Sequence, residues 1–203
     1  MKAKARTAKL DRKSKETEIK IDLNVDGTGT TKIKTPIGLL DHMLELFAFH
    51  GHFDISLSVK GDLHIDMHHT NEDIGIVLGK AFKQALGEKQ GIRRFGSAFA
   101  PMESTLGRTV IDISGRGYFR LKTETGVAAK SQDGYNFTDL EHFLESFAHN
   151  LGATLNVKIE EMSEDLHTNM ETVFKSLGMA LDQATAIDPR RSGKVPSTKG
   201  IID

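Results

Sequence analysis

The spacing of hydrophobic residues along the chain changes several times, and each change predicts a new element of secondary structure. From residue 16 to 25, apolar side chains stand two apart, which is typical of a half-buried strand: Ile19, Ile21, Leu23 and Val25. Asp26-Gly27 and Gly29 interrupt the alternation, and a second extended stretch runs from Thr30 to Thr35. This pattern predicts a β-hairpin with a polar turn. After Pro36 the spacing becomes three and four from Ile37 onward, which predicts a helix with Gly51 just past its end.

Strand and helix periods alternate through the rest of the chain. The pattern predicts strands at 53–59, 95–100, 105–113, 118–122 and 153–159, and helices at 74–86, 137–150 and from 167 to about 186. Gly87 follows the second helix and is suited to end it. The polar, glycine-containing segment 123–136 is predicted to be a mobile loop.

The second half of the sequence repeats the first. Residues 41–50 align with residues 141–150, and the pair His68 and Glu72 aligns with His167 and Glu171. A repeat of this length fixes the architecture. We therefore predict an α+β protein made by tandem duplication of a β-hairpin/α/β/α unit, with the helices of each unit on one face of its mainly antiparallel sheet. The expected division is a basic N-terminal tail (1–14), a first repeat (15–92), a second repeat (93–190) and a C-terminal segment (191–203).

Composition and charge exclude several classes of protein. The 203 residues include 27 Lys and Arg, 28 Asp and Glu, and no cysteine. Thiolate catalysis, zinc fingers, iron–sulfur clusters and a disulfide framework are therefore excluded. The net charge of −1 argues against a dedicated nucleic-acid binder. Seven Lys or Arg fall in the first fifteen residues with no apolar run after them. This favours a mobile, solvated tail on a cytoplasmic protein without a membrane segment.

Nine histidines are the notable feature, because imidazole is the commonest metal ligand in proteins. The densest segment is Asp66-Met67-His68-His69-Thr70-Asn71-Glu72-Asp73. If a helix begins at His68, Glu72 lies one turn from both histidines, whose rings diverge by about 100° and suit two separate ions. Imidazole and carboxylate without thiolate fit Mn, Fe, Zn, Ni or Co, and Glu favours Mn. The alternative is a polar helix start capped by Asp66 or Thr70.

Other candidates gain weight from the repeat or from their local context. His42 and His142 occupy matching positions, although each alone would be typical of a partly buried histidine. The repeat gives no such support to His50, His52, His64 and His149, which we interpret as surface or structural residues. Cations beside small or turn residues suggest anion binding at Arg94, Arg116, Lys175 and the segment Pro196-Ser197-Thr198-Lys199-Gly200. Singly, each of these is typical of a solvated surface charge.

Taken in order, these segments resemble the imidazoleglycerol-phosphate dehydratase family over about residues 12 to 203. The matching segments are Lys15-Glu16-Thr17, Leu40-Asp41-His42-Met43-Leu44, Gly61-Asp62, residues 68–73, Arg94-Phe95-Gly96, Pro101-Met102-Glu103, residues 112–116, Phe174-Lys175 and residues 196–200. The resemblance implies two similar halves like the second domain of ribosomal protein S5, with helices packed between two sheets. It also implies a 24-subunit homo-oligomer of octahedral symmetry with active sites between subunits.

The resemblance further implies a lyase of histidine biosynthesis that converts D-erythro-imidazoleglycerol phosphate to imidazole acetol phosphate and water. Each family site holds two Mn²⁺ ions. Carried over, one set of ligands is His42, His69, Glu72 and His167, and the other is His68, His142, Glu171 and the position of Thr168. The substrate phosphate would be held by Arg94, Arg116, Lys175, Ser197 and Lys199. Glu16, which would also reach the substrate, and Glu171 are the candidates for proton transfer.

Two positions depart from the family pattern. The last helix carries His-His-x-x-Glu in the family, whereas this chain has Thr168 at the second histidine, the position that the repeat aligns with His69. A neutral hydroxyl is a poorer Mn²⁺ ligand than imidazole, so we expect a second metal site that binds weakly or completes its shell with water. Pro36 stands where the family usually has Gly.

Two other classes of function remain open at this stage. One is a metal-assembled structural shell in which Thr168 marks impaired catalysis. The other is RNA binding through the S5-like fold and the basic tail. The low aromatic content of 6% and the near-zero net charge count against RNA binding.

Overall fold

The computed structural model describes residues 5–123, 129–191 and 193–202. In the first half, the elements are β1 (Thr7–Lys13), β2 (Thr17–Asn24), β3 (Thr31–Lys34), α1 (Gly38–Gly51), β4 (Asp54–Gly61) and α2 (His68–Leu86). The second half contains β5 (Phe95–Met102), β6 (Thr105–Asp112), β7 (Tyr118–Lys122), α3 (Phe137–Leu151), β8 (Thr154–Glu160) and α4 (Leu166–Thr185). A short 3₁₀ helix, Pro189–Arg191, follows. The two halves repeat one order of elements, which confirms the duplication.

Each half forms a four-stranded sheet of the same topology. The strand orders are β1-β2-β4-β3 and β5-β6-β8-β7. All neighbours pair antiparallel except β3 with β4 and β7 with β8, which pair parallel. The predicted hairpin between residues 16–25 and 30–35 is wrong, because β4 lies between β2 and β3. The connection from β3 through α1 to β4 is a parallel crossover, which needs a helix rather than a tight turn.

The predicted basic tail is wrong for residues 7–13, because these residues form the edge strand β1. Alternate residues of β1 face inward, where Ala8 is buried, while Lys9, Asp11 and Lys13 are exposed. The charges that suggested a tail are thus the outer face of an edge strand, where lysine also discourages pairing with other chains. The further division of the chain at residues 93 and 191 stays a prediction.

Two arginines fasten β1 and the residue before it to the helices. The Arg12 guanidinium pairs with the Asp73 carboxylate in α2, to which the Thr17 hydroxyl also donates over 2.6 Å. Arg6 donates to the Thr185 carbonyl at the end of α4 and pairs with Asp26. The N-terminal segment therefore contacts both halves of the molecule.

The helices lie between the two sheets. α1 and α2 pack on the first sheet and α3 and α4 on the second, and across the middle α1 contacts α4 and α2 contacts α3. Glycines allow this close approach: a Cβ on Gly79 would lie 2.6 Å from the Phe147 carbonyl oxygen, and one on Gly178 would lie 2.4 Å from that of Phe47. Phe47, Phe82 and Phe147 meet edge to face in the core at centroid separations of 5.9 to 6.2 Å. Two of these rings, Phe47 and Phe147, occupy matching positions in the two halves, so the repeat meets itself at the centre of the core.

Two predicted boundaries need comment. The apolar period covers only residues 74–86, but α2 begins at His68, so the polar residues 68–73 form its first turns. In the predicted mobile loop, residues 124–128 lie outside the described residues. The described end is packed: the backbone of Lys130 forms an isolated β-bridge with Asp165, and the Tyr135 side chain is fully buried. No helix in the described part of the chain is long and apolar enough to cross a bilayer.

Replacing Arg12 by Ala should lower the free energy of unfolding by about 1–3 kcal/mol, because the nearly buried Asp73 carboxylate would lose its charged donor. Urea unfolding at one fixed protein concentration measures the change. Lys9→Ala is the matched control, since Lys9 pairs with Asp22 at an exposed position of the same strand. Equal destabilisation by the two variants would contradict the anchoring role of Arg12.

Candidate metal centre

Three possible metal ligands meet where α1 and α4 pack together. His42 comes from α1, and His167 and Glu171 come from successive turns of α4. Glu171 Oε1 lies 3.0 Å from His167 Nε2 and 3.4 Å from His42 Nε2, and the two imidazole rings stack at a centroid separation of 5.2 Å. The donor atoms of all three lie within 4.8 Å of one another. We call these three residues the His42 cluster.

A second group lies at the matching junction of α2 and α3. His68 Nδ1 is 3.1 Å from His142 Nδ1, and the rings meet at a centroid separation of 4.6 Å. Glu72 Oε2 is 3.5 Å from His68 Nε2. We call His68, His142 and Glu72 the His68 cluster. The duplication has thus produced two imidazole–carboxylate groups, each formed by one helix from each half.

The His69 ring lies edge to face with that of His68 at a centroid separation of 6.2 Å, and its Nδ1 atom faces Asp62 in the loop after β4. Its Nδ1 atom lies 3.5 Å from Asp62 Oδ2, which is too far for a good hydrogen bond, and both His69 Nδ1 and Asp62 Oδ1 are buried without a hydrogen-bond partner. Desolvation opposes the charged imidazole, but Asp62, Glu16 and Asp66 outweigh it and raise the pKa of His69. Asp66 also accepts a hydrogen bond from the His68 amide at the helix start, the contact that the capping interpretation required.

Glu171 is the most buried carboxylate in the two clusters. Desolvation alone would raise its pKa, but hydrogen bonds from Lys175 and His42, together with the Lys175 charge and the contact with His167, lower it below its usual value. The Lys175 ammonium donates to Glu171 Oε2 one turn further along α4. Glu171 is therefore ionised near neutral pH, the state that a metal ligand or a general base requires.

The Thr168 hydroxyl is already engaged. Thr168 is buried in the first turn of α4, and its Oγ1 donates to Asp165 Oδ2 over 2.9 Å. Asp165 is the N-cap of α4 and also accepts from the His167 amide at 3.1 Å. Thr168 therefore serves the helix start, and its hydroxyl does not fit the role of the missing imidazole.

The predicted anion-binding residues are spread over several places in one chain. Arg94 donates to both Asp112 carboxylate oxygens, at 2.6 and 3.0 Å, and to the Pro196 carbonyl at 3.1 Å. It thereby fixes the C-terminal segment beside a cleft of about 530 Å³. The lining of this cleft includes Ser197 and three cationic residues besides Arg94: Arg190, Arg191 and Lys194. Lys199 donates its amide to Ser197 Oγ in the same segment.

The remaining predicted residues lie elsewhere. Arg116 is exposed in the turn after β6, and Lys175 lies beside the His42 cluster. Glu16 is exposed in the turn between β1 and β2, near His69. Of the histidines left without a role, His149 contacts the Glu145 carbonyl of its own helix at 2.9 Å.

Sequence patterns did not identify two acids that face predicted ligand positions. Asp62 approaches His69 from the loop after β4, and Asp165 accepts a hydrogen bond from the Thr168 hydroxyl. Asp62 lies in Gly61-Asp62, one of the segments that resemble the family, and this resemblance could have identified it. Asp165 stands directly before a predicted helix, where an acid is typical of an N-cap.

The duplicated α+β fold brings imidazole–carboxylate clusters to both helix junctions, and this donor set is typical of metal-dependent enzymes with histidine and glutamate ligands. The sequence matches the family model "Imidazoleglycerol-phosphate dehydratase" over residues 35–181. The chain belongs to the imidazoleglycerol-phosphate dehydratase family.

Relatives with that name match nearly the whole chain. The protein from Methylorubrum extorquens is 48% identical over 97% of this chain and 100% of its own length. The protein from Lachnoclostridium phytofermentans is 48% identical over 98% of this chain and 99% of its own. These matches confirm the resemblance and the class of activity, a hydro-lyase of histidine biosynthesis. They give no support to the structural-shell alternative.

Solved structures of the family confirm the fold. The Pyrococcus furiosus enzyme, crystallised in complex with (S)-C348, superposes with a TM-score of 0.79 at 35% identity, covering 95% of this chain and 99% of the other. The Staphylococcus aureus enzyme superposes with a TM-score of 0.77 at 28% identity, covering 90% and 99%. The α+β duplication with helices between two sheets is thus the fold of the family.

Proposed function

We propose that this chain removes water from D-erythro-imidazoleglycerol phosphate to give imidazole acetol phosphate, and that its metal is Mn²⁺. The observation that carries the proposal is the His42 cluster, in which a buried, ionised carboxylate lies against two imidazoles. We also propose a cytoplasmic location, because the substrate is an intermediate of amino-acid biosynthesis.

The residues of both clusters fit a divalent metal of intermediate hardness. Their donors are imidazole nitrogens and carboxylate oxygens without thiolate, which suits Mn²⁺. The buried, unpartnered atoms His69 Nδ1 and Asp62 Oδ1 add a polar site that a cation or a neighbouring group would satisfy. Bound Mn²⁺ would supply Lewis-acid chemistry and a template for the substrate.

The ligand sets that the resemblance implies draw on both clusters. One combines His42 and His167 with His69 and Glu72, and the other combines His68 and His142 with Glu171. Within the described part of a single chain, three such donors converge only at His42, His167 and Glu171. This supports active sites completed between subunits, and we propose the 24-subunit assembly from the resemblance to the family.

Two carboxylates are candidates for moving the proton. Glu171 is held ionised beside two imidazoles, so it is available as a metal ligand or as a base. Glu16 is exposed near His69, in a turn where a substrate or a neighbouring chain has access. We therefore assign proton transfer to this pair of residues, with Glu171 in the His42 cluster and Glu16 near His69.

The proposed phosphate clamp consists of Arg94, Arg116, Lys175, Ser197 and Lys199. Arg94 supports it by holding the Pro196 carbonyl, so that Ser197 and Lys199 lie in a fixed segment. Without a metal ion, the Lys175 ammonium pairs with the Glu171 carboxylate. A cation at Glu171 would repel that ammonium and leave it available to an anion, which supports a role for Lys175 once metal is bound.

Glu171→Gln keeps the shape of the side chain but removes its charge. Turnover of imidazoleglycerol phosphate, measured as ketone product in the presence of Mn²⁺, should fall at least about 100-fold. Gel filtration should show an unchanged assembly. Glu145→Gln, at an exposed position of α3, is the control and should keep normal turnover. Near-normal activity of Glu171→Gln would remove Glu171 from any essential role.

Removing the metal should abolish activity. After treatment with a chelator and desalting, the protein should show no turnover, and added Mn²⁺ should restore it because the donor set suits this ion. Full activity in protein shown by elemental analysis to contain no divalent transition metal would refute metal dependence. Mg²⁺, which prefers oxygen ligands, is the control ion.

The two Mn²⁺ sites should differ in affinity. Because the Thr168 hydroxyl is bonded to Asp165, Thr168→Val should leave Mn²⁺ binding unchanged in calorimetric titrations of metal-stripped protein. Thr168→His should strengthen the weaker site by about tenfold or more, by adding the imidazole that the family has. Two equally tight sites in the unaltered protein, or weaker binding in Thr168→Val, would contradict this assignment.

A further inference from the structure

A buried polar bridge joins the helices that carry the His68 cluster. The Tyr135 hydroxyl donates to Asn71 Oδ1 over 2.9 Å, and Asn71 Nδ2 donates to the Asp139 carbonyl oxygen over 2.7 Å. Tyr135 and Asn71 both have 0% exposure. The bridge therefore connects α2, α3 and the segment before α3 by hydrogen bonds that water does not weaken.

This bridge lies one helical turn from the imidazoles. Asn71 follows His68 by three residues in α2, and Asp139 precedes His142 by three residues in α3, so each pair shares a helix face. On the next turn of α2, a Cβ on Gly75 would lie 2.7 Å from the Phe143 carbonyl oxygen. The bridge and this close contact together fix the separation of α2 and α3 next to the 3.1 Å contact of His68 with His142.

The groups around the bridge are themselves held in place. Asn136 and Asp139 form a capping box at the start of α3, with Asn136 Oδ1 accepting from the Thr138 and Asp139 amides. Burial, reinforced by the nearby Asp139 charge, raises the pKa of Tyr135 well above its usual value. The phenol therefore stays protonated and remains a donor to Asn71.

The other helix pair shows that the fold itself does not require such a bridge. The repeat that aligns His68 with His167 aligns Asn71 with Met170 in α4. Met170 is fully buried and apolar, and it occupies the corresponding turn below the His42 cluster. A polar bridge is thus present at one of two equivalent helix junctions, the one beside the His68 cluster.

We propose that Tyr135 and Asn71 are positioning residues, which fix the His68 and His142 imidazoles for the metal ion that these two histidines hold. The inference rests on the proposed metal-dependent function. It adds a role for the segment before α3. Tyr135 in that segment would act on the metal site indirectly, through its hydrogen bond to Asn71 and the positions of α2 and α3.

Tyr135→Phe removes the hydroxyl and keeps the ring. In calorimetric titrations of metal-stripped protein with Mn²⁺, this variant should lose about tenfold or more in affinity at the weaker step, which we assign to the His68–His142 ion. The step assigned to the other ion should not change. Tyr118→Phe is the matched control, because Tyr118 is exposed on β7 and is the other of the two tyrosines in the chain. Unchanged affinity in Tyr135→Phe would overturn the proposal.

A double variant separates positioning from general stability. Tyr135→Phe combined with Asn71→Val leaves neither side chain with a buried, unpaired polar group, so the loss of stability caused by Tyr135→Phe should be reduced. If the bridge positions the imidazoles, Mn²⁺ affinity at the weaker step stays low in the double variant. Recovery of affinity to the level of the unaltered protein would overturn the proposal and assign the bridge to folding alone.

The same variants remain informative if the unaltered protein binds no Mn²⁺. That result would refute the proposed metal, and the inference is then judged on geometry. Crystal structures of the metal-free unaltered protein and of Tyr135→Phe should differ in the separation of His68 Nδ1 and His142 Nδ1. An unchanged separation would overturn the positioning role.

Discussion

The close packing of helices from opposite halves is the constraint on which the rest of the structure depends. Each sheet can bury only one face, so its two helices must cover that face and then meet the helices of the other half. Gly79 and Gly178 permit this by letting backbone approach backbone, as a Cβ at either position would overlap a carbonyl oxygen of the opposite helix. Because the imidazoles stand at the ends of these helix pairs, the same contact that closes the core brings the ligands together.

Duplication makes the two helix junctions similar, and later substitution makes them different. His69 in the first repeat corresponds to Thr168 in the second, and Asn71 corresponds to Met170. At the α1–α4 junction, a buried carboxylate with a lysine partner lies against two imidazoles. At the α2–α3 junction, two imidazoles face each other above a polar bridge. The symmetric fold therefore carries two chemically distinct clusters.

Much of this architecture could be predicted from the sequence, because burial imposes a period on each element. The alternation through Ile19, Ile21 and Leu23 located β2, and the helical spacing located α1, α3 and α4 to within a residue or two. The start of α2 left no apolar signal, since residues 68–73 are polar, and only the spacing of the ligands pointed to a helix there. The pairing of β2 could not be predicted, because its antiparallel partner β1 shows charges on its outer face and only two small or medium apolar residues, Ala8 and Leu10, within it.

The candidate site likewise contains residues that could be predicted from the sequence and residues that could not. The repeat located the imidazoles of both clusters, since a functional residue at matching positions is preserved through the duplication. Their partners were harder to predict, because they follow from three-dimensional contacts between distant segments. Asp62 facing His69 and Tyr135 reaching Asn71 each depend on how a loop packs on a helix, whereas Asp165 accepting from Thr168 is a local contact at a helix start. Sequence spacing reports which residues share a helix face and leaves open what the facing segment brings to it.

Ligands that come from both halves link metal binding to the stability of the core. In the proposed ligand sets, an ion held by His42 and His167 would bridge α1 and α4, and one held by His68 and His142 would bridge α2 and α3. Each ion would therefore favour the packed state of its helix pair over any state in which the halves separate, and the gain grows with its affinity. Of the two proposed ligand sets, the one with His68 and His142 is the set that lacks an imidazole at the position of Thr168, so its ion would stabilise less. The hydrogen bonds from Tyr135 to Asn71 and from Asn71 to the Asp139 carbonyl join α2 to α3 at the His68–His142 junction without a metal ion.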